Sequence, residues 1–259
     1  MSIINFNLIK EYFTNNRKES IDVNGKIYDE LIPVKYRWTH GATDKHLGDG
    51  MLIYTIIQYM RAKTCVCLGS GGGFIPRIMS QARIDLHEQE IFDGNKQMEW
   101  GDSGTTILVD ASNGVGGYTD WIDKNSFFRT NFPCRIILDT TENAYYNFFV
   151  KEDIKIDYLH IDAGHSYEDV KNDFELYSKL LSPHGIITIH DTDTSYEKEH
   201  IITDDILDEF HQDYSGGPSK LITELKENKE WEIFNFFNNG IFKSRPSSTG
   251  LTFIQRCKN

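Results

Sequence analysis

Positive charge is in short supply in this sequence. Lys and Arg total 27 against 39 Asp and Glu, a formal net charge of −12. A duplex nucleic acid asks for a basic face, and no local cluster of Lys or Arg offers one, so that class of partner is not expected. Long apolar runs are missing too. The longest, Met51 to Met60, is interrupted by Thr55 and Gln58 and is about half the length a membrane span needs. The opening residues Met1-Ser2-Ile3-Ile4-Asn5-Phe6-Asn7 carry neither a basic n-region nor a small-residue cleavage site, so no secretory signal is expected. Cysteine is sparse: Cys65, Cys67, Cys134 and Cys257 form no Cys-x-x-Cys pair, and reduced core thiols in a cytoplasmic protein are the expectation. No internal repeat or low-complexity tract interrupts the chain. With 39% hydrophobic residues over 259 positions, it can bury a core without disulfides or a structural metal.

What is present begins with a row of short apolar runs. Lys63 to Leu68 reads as a buried strand that runs straight into Gly69-Ser70-Gly71-Gly72-Gly73, with Pro76 in the first turn of a following helix. Further strands are expected at Thr105–Asp110, Cys134–Asp139, Ile156–Asp162 and Gly185–Asp191. Apolar runs whose polar residues gather at the C-terminal end are the mark of a parallel sheet buried on both faces, and ligands of such sheets bind at that end. Between the last two runs, Ser166 to Asp169 fits a capping box, and Val170, Phe174, Tyr177 and Leu181 follow at helical spacing. Trp231–Phe237 and Thr252–Gln255 read as a terminal antiparallel hairpin added to the parallel sheet. The fold class is therefore α/β, Rossmann-like, doubly wound and mostly parallel. Residues 1–50 are expected to form an N-terminal cover. The stretch from Asp193 to Asp213, with eight acids and one lysine, reads as a solvated face or a lid over about 193–217.

The glycine loop suits a nucleotide-like ligand, because backbone amides at a helix N-terminus can be approached closely through glycine. Gly69, Ser70, Gly71 and Gly73 are the candidate cofactor-binding residues. A dinucleotide fingerprint would place its third glycine at position 74, which is Phe74, so a nicotinamide cofactor fits poorly. Asp110 ends the next strand, where an acid can accept hydrogen bonds from a ribose, and Asp139 ends the one after. Asp110 lies 41 positions beyond Gly69, against about 20 in the simple version of this unit, so residues 84–104 read as an insertion. Glu88 or Glu90 stands as the alternative ribose acid.

Asp162 and Asp191 end strands joined by a single helix. If those strands are neighbours, the two acids lie about 5 Å apart and repel unless a cation sits between them. A hard divalent ion such as Mg²⁺ answers that need. His190 and His165 put two imidazoles at the same edge, and His165 is suited to act as a general base near neutrality.

These residues resemble a known family. The glycine loop, Asp110, the segment Leu159-His160-Ile161-Asp162-Ala163-Gly164-His165-Ser166-Tyr167 and the strand end Ile189-His190-Asp191-Thr192 are similar to class I S-adenosylmethionine-dependent methyltransferases. The closer likeness is to the metal-dependent sugar and macrolide O-methyltransferases, whose relatives include cephalosporin hydroxylase-like proteins. The resemblance spans roughly residues 39–256. It implies a seven-stranded sheet with its last strand antiparallel, and S-adenosylmethionine over the glycine loop. It also implies Asp162 and Asp191 as metal-binding acids, His190 as a third ligand where the family often has an acid, and His165 as the base. The implied partner is a small-molecule acceptor, a sugar or glycosylated metabolite, and a homo-oligomer is compatible with this reading. Three readings compete. Tyr167 and Lys171 form a Tyr-x-x-x-Lys that a nicotinamide-dependent sugar oxidoreductase would use, though no serine stands at a fitting distance upstream. A catalytically silent adenosyl-binding protein and a metal-free N-methyltransferase are the others.

Overall fold

The computed structural model describes residue 40 and residues 47–69, 73–92, 104–111, 124–125, 127–193, 216–236 and 250–257. The segments read as N-terminal cover, insertion and lid therefore lie largely outside the described residues. So do Ser70 and Gly71.

In chain order the elements are α1 (Asp49–Met60), β1 (Thr64–Leu68), α2 (Phe74–Phe92), β2 (Thr105–Asp110) and α3 (Phe127–Asn131). Then come β3 (Arg135–Leu138), α4 (Thr141–Ala144), which runs into a π turn at Tyr145–Phe149, and β4 (Ile156–Ile161). Next are α5 (Tyr167–Tyr177), a 3-10 turn, β5 (Leu181–His190), α6 (Gly217–Leu225), β6 (Trp231–Phe236) and β7 (Leu251–Arg256). Seven strands form one sheet in the order β3-β2-β1-β4-β5-β7-β6. The first five run parallel, and β7 lies antiparallel between β5 and β6. The expected doubly wound, mostly parallel sheet with a terminal antiparallel pair is what forms.

Period-two alternation decides which core each strand residue joins. Cys65 and Cys67 share one face of β1 and pack with Ile53, Ile57, Ile78 and Met79 from α1 and α2. Val66 and Leu68 share the other, among Leu159, Ile161, Val170 and Phe174. Both sides of the sheet are thus covered by helices. The cysteines are free thiols, and burial pushes those of Cys65 and Cys134 up to about 12. Among the described residues no helix is long and apolar enough to cross a membrane.

Register brings the strand ends into line. Leu68 pairs with Val109 on one side and Ile161 on the other, and Ile161 pairs in turn with Ile189. Gly69, Asp110, Asp162 and His190 follow at one carboxyl edge. Gly69 turns there with φ +73°, and a Cβ on it would come within 2.2 Å of the Asp162 carbonyl oxygen. Only glycine lets β1 leave the sheet so close to β4.

Three boundaries depart from the sequence reading. Helix α2 continues through residues 84–92, so the first part of the segment read as an insertion is helical. β5 begins at Leu181, because Ser182-Pro183-His184-Gly185 is an irregularity inside the strand rather than a helix terminus: Ile156 pairs with Leu181, but Tyr158 pairs with Ile186. Proline in a strand is tolerated at such a break in the ladder. Helix α6 was not anticipated; Pro218 opens it, and Leu221, Ile222 and Leu225 bury one face.

Candidate active site

Two acids and an imidazole meet where β4 and β5 end. Beyond β4, the turn Asp162-Ala163-Gly164-His165 leads into α5, whose N-cap Ser166 accepts a hydrogen bond from the Asp169 backbone N–H at 3.1 Å. That cap fixes where the turn stops and so where His165 projects. The start of α6 braces the same turn, since a Cβ on Gly217 would come within 2.4 Å of the His165 carbonyl oxygen. His165 Nε2 then lies 3.0 Å from Asp191 Oδ2 and 3.6 Å from Asp162 Oδ1. Asp191 follows β5 in a left-handed conformation, φ +56°, which L residues adopt at a cost and which is concentrated at functional positions.

His190, mostly buried, faces the same pair: its Nδ1 is 3.4 Å from Asp162 Oδ1 and 3.2 Å from Asp191 Oδ1. The structure therefore brings Asp162, His165, His190 and Asp191 together as the sequence anticipated. It adds two residues that the sequence reading passed over. His40, also left-handed at φ +51°, places Nε2 3.6 Å from Asp162 Oδ2. Asp49, first residue of α1, puts Oδ2 3.7 Å from His190 Nε2, and its backbone N–H donates to the His40 carbonyl at 2.9 Å. Gly48-Asp49-Gly50 and His40-Gly41 stand out in the sequence only as turn-formers. A fourth imidazole, His160, lies within β4. Its Nδ1 is 2.9 Å from the Thr188 hydroxyl, which also meets the Tyr158 hydroxyl at 2.9 Å, and its Nε2 is 4.0 Å from Asp162 Oδ2.

The electrostatics of the cluster split the histidines into two kinds. Burial, aided by the charge of His190, pushes His40 down to about 3, and burial pushes His160 down to about 4. Both are neutral. Burial acts in the same sense on His165 and His190, but the two carboxylates outweigh it: His165 is carried up to about 10 and His190 well above its usual value. For Asp162 and Asp191, burial alone would raise the carboxyls, yet the charge of His190 and the hydrogen bonds from His165 and His190 hold both well below the usual carboxylate range. The acids thus stay ionised, their charge balanced here by His165 and His190. The donor atoms of Asp162, His165 and Asp191 all lie within 4.8 Å of one another, and so do those of His40, Asp162 and His190. Spacing, ionisation and donor type fit a divalent cation.

On the cofactor side, Asp110 ends β2 beside Gly69 and is mostly buried, while Gly73 turns with φ +78° into α2. Residues 88 and 90 fall in the last turns of α2, some 20 Å along the helix from its start at this edge. The helix carries their backbone away from the turn at Gly69. Asp139 is occupied locally, its Oδ1 accepting from the Thr140 N–H at 2.8 Å and Asn143 Nδ2 at 3.0 Å, so it shapes the turn into α4. The Tyr167 and Lys171 pair is likewise accounted for: Tyr167 donates to Glu224, and Lys171 Nζ donates to the Tyr167 hydroxyl at 3.0 Å and to Glu224 at 2.8 Å. These contacts tie α5 to α6.

Residues 66–192 match a family model described as a methyltransferase domain. The solved O-methyltransferase from Bacillus cereus, in complex with SAH, superposes with a TM-score of 0.61 over 97% of this chain and 91% of that one, at 13% identity. TomG from Streptomyces achromogenes, an O-methyltransferase involved in tomaymycin synthesis and solved with SAM, gives 0.59 over 96% and 90%, at 10% identity. The SAH-bound methyltransferase PaMTH1 of Podospora anserina gives 0.60 over 100% and 90%, at 12% identity. At such identities these matches speak for the fold. An uncharacterized protein of Sinorhizobium fredii, y4gI, is 45% identical over 49 residues, which is 19% of this chain and 5% of that protein. The chain therefore matches only about a twentieth of that curated relative's length.

Proposed function

We propose that this chain, whose residues 66–192 match a methyltransferase domain, is a class I S-adenosylmethionine-dependent methyltransferase, and within that class a divalent-metal-dependent O-methyltransferase acting on a hydroxyl of a sugar or small natural-product-like acceptor. One observation carries the reading. Asp162 and Asp191, both ionised, stand on adjacent strand ends with His165 between them, one strand from the glycine turn.

S-adenosylmethionine, when bound, supplies a methyl group on a sulfonium that is already a strong electrophile. The chain must then provide position and a proton acceptor. In this proposal Gly69, Ser70, Gly71 and Gly73 hold the cofactor over β1, and Asp110 accepts from its ribose. Asp162 and Asp191, with His190, hold a divalent ion, whose charge favours the deprotonated form of an acceptor hydroxyl beside it. His165 takes the hydroxyl proton. It can do so only when the carboxylates that otherwise hold its own proton are engaged elsewhere, so base and cation belong to one site. Free thiols, two of them deeply buried, suit a reducing cytoplasmic compartment.

Calorimetric titration with S-adenosylmethionine, S-adenosylhomocysteine and NAD, followed by turnover assays with and without a chelator, tests this. Binding of the adenosyl ligands, no binding of NAD, and activity abolished both by chelation and by Asp162→Ala are expected. NAD binding without sulfonium binding would overturn the whole proposal. Turnover that survives the chelator would overturn the metal assignment alone.

A further inference from the structure

The donor set around Asp162 is not the one a magnesium site uses. Mg²⁺ demands oxygen ligands, keeps several waters and holds near-ideal octahedral geometry. Imidazole suits zinc, iron, nickel and copper, whereas carboxylates and water suit magnesium and manganese. Here three imidazoles face two carboxylates. His40 Nε2, His165 Nε2 and His190 Nδ1 all lie within 3.6 Å of a carboxylate oxygen of Asp162 or Asp191. The trio His40, Asp162 and His190 is two imidazoles and one carboxylate, a set that first-row transition ions favour.

Resting on the metal-dependent reading above, we infer that His40 and His190 make this a mixed nitrogen–oxygen centre, selective for a first-row transition ion of the manganese-to-zinc series over Mg²⁺. His40 is held for that task before any ion arrives. Its ring stacks on Phe74, with centroids 5.8 Å apart and planes 17° from parallel, and meets the His190 ring edge-on at 4.2 Å. His190 shows a further mark of a ligating histidine. Its Nδ1 faces the acids, while Asp49 stands 3.7 Å from the other ring nitrogen, where a carboxylate orients a metal-bound imidazole. Asp49 is a positioning residue in this scheme. A separate observation points the same way: His160 Nε2, fully buried and facing Asp162, makes no hydrogen bond among the described residues. A buried polar nitrogen left so is rare unless an ion or water completes its surroundings.

The test uses the full chain, stripped by a chelator, and titrated calorimetrically with MnCl₂, ZnCl₂ and MgCl₂. One equivalent of Zn²⁺ or Mn²⁺ is expected to bind. His40→Ala is expected to weaken Zn²⁺ about tenfold or more while leaving Mg²⁺ affinity within about twofold, and His190→Asp to narrow the Zn²⁺/Mg²⁺ affinity ratio about tenfold or more. Pulsed EPR of the Mn²⁺-loaded protein is expected to show imidazole nitrogen coupling that diminishes in His40→Ala. Retained S-adenosylhomocysteine binding confirms that each variant folds, and His40→Gln substitutes if His40→Ala does not. Equal loss of Zn²⁺ and Mg²⁺ in the His40 variants, or Mn²⁺ bound without nitrogen coupling, overturns the inference and leaves the metal-dependent reading standing. A folded parent that binds none of the three ions overturns both.

Discussion

Asp173 sits on the inner face of α5, almost wholly buried, and its ionisation runs against its surroundings. Burial, opposed by a hydrogen bond from Thr141 and reinforced by the charge of Asp169, raises the carboxyl to about 7. In the unfolded chain it titrates near pH 4. Between these values the folded state holds a proton that the unfolded state has released, so stability falls as pH rises from about 4 to about 7 and then levels off. A shift of this size sets an upper bound of about 4 kcal/mol. Asp173→Asn, neutral throughout, is expected to be more stable than the parent by about 2 kcal/mol at pH 8 and by little at pH 5, measured by urea unfolding at both. An equal difference at the two values would show that the effect is not proton-linked. The same scale separates what sequence reveals from what it hides. Asp162, His165, His190 and Asp191 were legible because each stands at or just beyond the end of an apolar run, and a parallel sheet lines such ends up. His40 reaches Asp162, and Asp49 reaches His190, from more than a hundred positions away in the chain. No periodicity marks them, since they are placed by a turn and a helix start rather than by a repeating face.

Helix α5 shows how an element can be built to aim a side chain. Its N-cap Ser166 follows directly on His165, and the hydroxyl both accepts from the Asp169 N–H and donates to the Asp169 carboxylate at 2.7 Å. Ser166→Ala is expected to cost about 1 kcal/mol in urea unfolding, and Ser166→Asn to restore most of it, with the denaturant slope unchanged. A loss well under half of that would mean that α6, packed against the same turn, holds the helix start by itself. Strands β2, β3 and β4 were readable almost to the residue, because three or four apolar positions bounded by Asp, Pro or Gly leave little freedom. β5 was misplaced at its start: Pro183 and Gly185 carry the usual signature of a loop, and only pairing with Ile156 keeps Leu181 in the sheet. α6 was hidden because its nine residues give too short a window for the pattern at Leu221, Ile222 and Leu225 to stand out from the segment before it.

Across the whole molecule, the proposed cofactor and metal sites share one sheet edge, from Asp110 on β2 through Gly69 and Asp162 to Asp191 after β5. A ligand that binds there only in the folded state stabilises every strand it bridges. S-adenosylhomocysteine at about 100 times its dissociation constant is expected to add about 2.7 kcal/mol, a rise in Tm of roughly 5–10 °C, measured by calorimetric scanning. No change in Tm at saturating ligand would contradict adenosyl binding at the glycine turn. The fold class and sheet pattern were legible at this scale, since apolar runs alternating with helical patterns admit few architectures.

The position of β7 has a consequence for the order in which the molecule can be made. Residues Ile186 to His190 pair on one side with β4 and on the other with β7, whose partners begin at Leu251. As the chain leaves the ribosome, the parallel strands are complete some sixty residues before the strand that covers the outer flank of β5. At roughly 5–20 residues per second, that flank stays bare for about 3–12 s, long enough for a β-strand of another chain to pair with it. The interval is fixed by strand order alone, so a circular permutant that places β7 ahead of β1 removes it without altering a single contact at the active edge.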